Sequence, residues 1–199
     1  MTTPASKILS ASLGFPRIGA HRELKAALES HWSGRSSAED LKAAAAALRA
    51  RHWLIQQKAG IDHIPSNDFS LYDQMLDTIV LLGAVPERFG HKGGAVPLEL
   101  YFAMARGRQD APAMEMTKWF DTNYHYIVPE LSADTVFALG SNKPVEDYNE
   151  AKFLGVATRP VVSAPSMAGL WAAMIVTFYL GVLPTRVIDY ALQSIQTIL

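Results

Sequence analysis

An α/β fold is predicted by three observations. Short apolar runs bounded by glycine, proline or turn residues alternate with stretches whose apolar residues recur at helical spacing. The separations suit parallel strands, whose connections need a crossover of about a dozen residues or more. A chain of 199 residues, 49% of them hydrophobic, is long and apolar enough for one domain or a little more.

The elements follow in order. Ser12 to Gly19, SLGFPRIG, reads as a strand, and the segment after it repeats Leu24, Ala27, Leu28 and Trp32 as a helix does. Ser37 and Asp40 stand at capping-box spacing before a longer helix with a Leu41, Ala45, Leu48 and Ile55 stripe, and Gly60 stops it. Ile61 to Phe69 begins as a strand and ends in turn residues; Ser70 and Asp73 then mark a helix start. RFGHKGGAVP is a glycine-rich connector, LELYFAMARG a short helix ending at Gly107, and KPVEDYNEAKFLG a helix opened by Pro144. TRPVVSAP reads as one more strand. The glycines of GFPRIG are spaced wrongly for a dinucleotide fingerprint, so a barrel or part of one is preferred to a doubly wound sheet.

Charge and composition exclude several functions. The net charge is −1 with both signs interspersed, which argues against a general nucleic-acid face. The absence of cysteine removes disulfides, thiolate nucleophiles and cysteine-containing metal sites. The first residues lack the apolar core of a secretory signal, so a cytoplasmic location is expected. Six histidines show no close metal-ligand spacing, and no serine sits in a nucleophile elbow.

Three places can carry binding. Arg17, Arg22 and Lys25 gather at the opening of the first helix, where free amides and the helix dipole favour anions and disfavour cations. They form either an anion receptor or surface charge paired with Glu23 and its neighbours. In TKWFDTNYHYIVPE, strand alternation would put Lys118, Phe120, Thr122, Tyr124 and Tyr126 on one face and Trp119, Asp121, Asn123 and His125 on the other. Ser66, Asn67, Asp68 and Asp73 lie at the end of the second strand, the end that carries ligands in barrel enzymes; an Asx turn capping the next helix explains them equally.

LGFPRIGAHRELKAALESHWSG, LRARHWLIQQKAGIDHIPSNDFSLYDQMLDT, EMTKWFDTNYHYIVPEL and LGVATRPVV together resemble the amino-terminal barrel of cobalamin-independent methionine synthase. The resemblance runs from about Leu13 to Val162. It implies a partial (βα)8 TIM-type barrel, roughly the first four strand-helix units, over residues 1–163. It further implies binding of 5-methyltetrahydropteroyltriglutamate by Arg22, Glu23, Leu24, Lys25 and Lys118, with Arg17 as possible support of the anion site. No catalytic residue and no metal ligand are assigned to this chain. In the family, methyl transfer to homocysteine is assisted by zinc held in a carboxy-terminal barrel, so this chain is expected to need no cofactor itself and to be inactive alone. Homocysteine would be met only through the missing barrel.

Residues 164–199 depart from the resemblance and are expected to form a divergent apolar helical tail. Met167 to Leu183 carries no charge; a buried helix is read there in preference to a membrane anchor over 167–183. Half a barrel leaves edges and apolar surface open, so self-association or a partner chain is expected, including the alternative of a noncatalytic subunit docking on an intact synthase.

Overall fold

The computed structural model describes residues 8–162. The chain divides into two units, one holding residues 8–77 and 142–162 and the other residues 78–141 of the described chain. The tail expected at 164–199, with its candidate membrane segment, lies outside the described residues. Among the described residues no helix is long and apolar enough to cross a membrane.

In the first unit, helix α1 (Glu23–Trp32) buries Leu24 and Leu28, and α2 (Ala38–Lys58) packs against it. α2 begins with the expected capping box: the Ser37 hydroxyl accepts from the Asp40 amide, and the Asp40 carboxylate accepts from the Ser37 amide. Strand β1 (Ile64–Ser66) follows and is buried along its whole length. It pairs in parallel with β4 (Thr158–Pro160), Ile64 opposite Thr158 and Ser66 opposite Pro160. A parallel bridge joins Ala11 to His63, through His63 N–H to the Ser10 carbonyl at 3.0 Å and Ser12 N–H to the His63 carbonyl at 3.1 Å. Residues 10–12, β1 and β4 thus form a parallel array, with α5 (Lys143–Phe153) leading into β4.

Pro65 in the middle strand has a physical explanation. Successive residues of a strand aim their amide groups at opposite neighbours. Ser66 reaches β4 by accepting from Val161 N–H at 2.7 Å, whereas His63 reaches residues 10–12. Pro65 has the parity of His63, so its missing N–H faces the side that β4 does not use. Its carbonyl accepts from the indole N–H of the buried Trp53 at 3.0 Å. Trp53, Ile64, Ala151 and Val156 make the core around this point.

Helix α3 (Gln74–Leu81) is capped by Asp73, whose carboxylate accepts from the Met75 and Leu76 amides at 3.0 and 3.1 Å. In the second unit, residues 138–141 run along the end of α3, with Ala138, Gly140 and Ser141 amides bonded to the Leu82, Leu81 and Val80 carbonyls. A Cβ on Gly140 would lie 2.3 Å from the Val80 oxygen, so only glycine permits that approach. A 3-10 turn at Glu87–Phe89 precedes α4 (Leu98–Arg106). Strands β2 (Met116–Lys118) and β3 (His125–Ile127) pair antiparallel, Lys118 opposite His125.

The fold is mixed α/β, as expected, but the described strands do not close into a barrel. Two strand readings are corrected. Pairing occurs at Ala11, ahead of the expected 12–19 strand, because the Phe15 amide is taken by the Asp68 carboxylate at 2.8 Å and Gly19 sits at φ 84. The 118–126 stretch is a hairpin and not one strand: Phe120 adopts φ 49, and the Thr122 amide and hydroxyl both donate to the Trp119 carbonyl.

Because Trp53 fills the core and satisfies the Pro65 carbonyl, Trp53→Phe is expected to cost about 2 kcal/mol, from a lost hydrogen bond and an imperfectly filled space. Urea unfolding followed by far-UV circular dichroism checks it; an unchanged midpoint would show that this contact does not hold β1.

Candidate functional site

The opening of α1 is built by a tight loop. Leu24 N–H donates to the Ile18 carbonyl and Arg22 N–H to the Gly19 carbonyl, each at 3.1 Å. Arg22, the residue before the helix, sits at φ 63, ψ 33, a left-handed conformation that costs a non-glycine residue about 1 kcal/mol or more. The Glu23 carboxylate folds back to accept from the His21 amide at 2.9 Å and from Arg51 of α2 at 2.7 Å. The Arg51 hydrogen bond, then the backbone amides, draw the Glu23 pKa down to about 2.

The expected binding residues therefore separate by role. Leu24 is fully buried and its amide is engaged, so its side chain belongs to the core. Arg17 donates to the carbonyls of Ser70, Leu71 and Tyr72 at 2.7, 3.1 and 2.9 Å, stitching its loop to the segment before α3. Glu23 is occupied within the loop. Arg22 and Lys25 are exposed, and among the described residues Arg22 has no ion-pair partner. Lys25 lies 3.4 Å from Glu29, with both side chains about half exposed. Such an i,i+4 pair is worth about 0.3–0.5 kcal/mol, and less with the lysine N-terminal to the acid, so a stronger anion displaces it easily.

Lys118 belongs to the second unit, at the end of β2, where it is exposed. Trp119 beside it packs edge-on against Phe120 and Tyr126, with ring centroids 5.0 and 5.7 Å apart. The hairpin thus sets a lysine next to an aromatic cluster. In the same unit, Arg88 forms a two-armed pair with Glu130 and lies over the Phe89 ring at 4.6 Å.

A second polar cluster lies beyond the carboxyl end of β1. Asn67 adopts φ 62 and donates to the Val161 carbonyl at 2.7 Å. Lys143 of α5 donates to Asn67 Oδ1 at 2.9 Å and Asp147 at 2.8 Å, with Asp77 at 3.8 Å. Arg49 of α2 pairs with Glu150 at 2.6 Å and approaches Asp147 at 3.7 Å. A groove of about 500 Å³ beside them is lined by Lys42, Arg49, Phe69, Lys143, Glu146 and Asp147. Its two inner cations are neutralised by acids of the chain itself, which makes it a fastening between α2, α5 and β1 and a poor anion receptor. Of the residues expected here, Asn67 and Asp68 join the cluster, whereas Asp73 caps α3. Lys143, Asp147, Arg49 and Glu150 were missed; the i,i+4 spacing of Lys143 and Asp147 was the available signal. Among the described residues no three His, Asp or Glu side chains gather closely enough to hold a metal ion.

Residues 9–171 match the protein family described as "Cobalamin-independent synthase, N-terminal domain". The chain is 57% identical over 173 residues to the 5-methyltetrahydropteroyltriglutamate–homocysteine methyltransferase of Chelativorans sp. (strain BNC1), with 80% of this chain and 22% of that protein covered. It is 60% identical over 153 residues to the protein of the same name from Kali turgidum, covering 77% of this chain and 20% of that protein. The Salinibacter ruber protein of that name is 56% identical over 165 residues, with 78% and 22% covered. The chain spans about a fifth of the length of the curated relatives it matches.

Asp68 gives a pH test of the cluster geometry. Burial raises its pKa above the ordinary 3.8, against the hydrogen bond from Phe15 N–H and the nearby Lys143 charge; Asp147 adds a smaller push upward. Above 3.8 the folded chain therefore still holds a proton that the unfolded chain has lost, and stability falls as pH rises through that window. Asp68→Asn keeps an acceptor for Phe15 and removes the fall. Relative to the parent, the variant is expected to gain stability in urea unfolding as pH rises above the ordinary carboxylate value of 3.8; a constant difference would clear Asp68 of the effect.

Proposed function

The chain belongs to the family of cobalamin-independent synthase amino-terminal domains, and from that membership we propose that it is a fragment of a cobalamin-independent methionine synthase whose own contribution is binding the glutamate tail of 5-methyltetrahydropteroyltriglutamate. The observation that carries this is the exposed Arg22 and Lys25 pair at the first turn of α1, in a loop whose acid is already satisfied by Arg51. Several carboxylates on one flexible tail suit two cations beside a helix start. Lys118, presented beside Trp119 on the hairpin of the second unit, is proposed as a ligand contact in its own right. The parallel array of residues 10–12, β1 and β4 is read as part of a (βα)8 barrel, each of its strands followed or preceded by a helix.

Methyl transfer to homocysteine is assigned to the portion of the relatives that this chain does not span. With no cysteine in the sequence and no metal-holding cluster among the described residues, the side chains here do not fit a thiolate-bound zinc. On this reading zinc chemistry belongs to that other portion and the isolated chain is noncatalytic. A cytoplasmic setting accords with a folate substrate.

One observation favours a second reading. Among the described residues no strand pairs with the outer edge of β4, where Arg159 and Pro160 are exposed. A partner chain supplying the remaining strands would cover that edge. Co-purification with a separately expressed chain comprising the rest of a synthase would support it, and independent elution of the two would reject it.

Calorimetric titration tests the main reading. The chain is expected to bind methyltetrahydrofolate triglutamate more tightly than the monoglutamate, with affinity falling as salt rises. Lys25→Ala and Lys118→Ala should each weaken the triglutamate by about 5-fold, roughly 1 kcal/mol. Equal affinity of parent and variants would reduce both lysines to surface charge.

A further inference from the structure

A carboxylate in the middle of an anion-binding turn poses a problem, because Glu23 would repel the ligand that Arg22 and Lys25 attract. The geometry resolves it. Both Glu23 oxygens are spoken for, Oε2 by His21 N–H at 2.9 Å and Oε1 by the Arg51 guanidinium at 2.7 Å. The carboxylate lies against Gly19, where an added Cβ would stand 2.2 Å from Oε2 and 2.9 Å from Leu48 Cδ2. Gly19 also sits at φ 84, a backbone position that suits glycine. One residue further along α2, the His52 ring stacks on Phe15 at 4.3 Å, so α2 grips the same loop at a second point.

We infer that Glu23 is a positioning residue and not a ligand contact, and that Arg51, a residue outside the family resemblance's binding set, is its clamp: the pair fixes the 19–23 turn and aims Arg22 and Lys25 outward. This deepens the proposed function and rests on it for the identity of the ligand, a multiply charged carboxylate tail. The clamp itself is a property of the fold. Gly19 belongs to the same device, since a methyl group there meets the carboxylate at the one place it cannot leave without losing both partners.

Two measurements on the 199-residue chain separate the clamp from the ligand. Amide hydrogen exchange by NMR reports the His21 N–H. Exchange is expected to rise about 5-fold or more in Glu23→Ala and in Arg51→Ala, with no further rise in the double variant, because both substitutions break one linkage. Arg51→Lys, which keeps a charge but not the planar fork, should fall between parent and Arg51→Ala. Titration with methyltetrahydrofolate triglutamate and monoglutamate gives the second arm. Glu23→Ala and Arg51→Ala are expected to weaken the triglutamate about 5-fold while leaving the monoglutamate nearly unchanged. Unaltered exchange at His21 would overturn the clamp. Tighter triglutamate binding in Glu23→Ala would show that the acid faces the ligand and overturn its positioning role. A parent chain that binds neither compound would remove the ligand reading alone, with the exchange result still deciding whether Glu23 and Arg51 act as a pair.

Discussion

Burial of strand β1 between two parallel neighbours is the constraint on which the first unit depends. Three residues long and buried throughout, it has no room to slip, since a one-residue shift would break the bonds of the preceding His63 to Ser10 and Ser12 on one side and of Ser66 to Val161 on the other. Its proline removes a donor that no neighbour requires, and Trp53 satisfies the remaining carbonyl. With β1 fixed, the next two residues are fixed as well. Asn67 turns into the left-handed region and reaches Val161, and Asp68 reaches back to Phe15. The strand end thereby holds together the loop before α1, the start of α5 and the end of β4.

Cations in this unit fall into two populations, and the difference is physical. Arg17, Arg49 and Lys143 each make two or more short contacts with carbonyls or carboxylates of the chain, and Arg51 makes one, to Glu23. Removing one such partner from a buried pair leaves a charge without compensation, at a cost of about 3–5 kcal/mol where burial is complete. Arg22 and Lys25 stand outside this network. The N-terminal turn of a helix disfavours them, and the pair with Glu29 returns little. Their exposure leaves them available to the ligand of the proposed function.

Elements governed by local chemistry were legible in the sequence. Ser37 with Asp40 announced α2, Gly60 and Gly107 ended their helices, and Pro144 marked the start of α5. All depend on residues within one turn of each other. Elements governed by distant partners were not. The first strand was displaced because Gly14, Phe15 and Gly19 answer to Asp68 and Glu23, not to a neighbouring strand. The Trp119–Tyr124 turn was hidden by aromatic residues that read as strand formers, although Asp121, Thr122 and Asn123 are turn formers. At the site, the cation cluster before α1 was visible by composition. Its division into exposed and structural members required knowing that Arg51, 28 residues from Glu23, arrives on the next helix.

The backbone of Arg22 carries the last step. Glycine would occupy φ 63 freely, and asparagine nearly so, as Asn67 does at φ 62. An arginine there holds strain of about 1 kcal/mol or more, and such strain persists only where surrounding contacts over-determine the conformation. Those contacts are present: Gly19 and Ile18 accept from the turn's amides, Glu23 locks His21, and Arg51 locks Glu23. None of them touches the Arg22 side chain, so packing does not select arginine over glycine at this position. What glycine lacks is a guanidinium, exposed at the residue before the helix. The strain and the charge together accord with the anion contact proposed for this side chain.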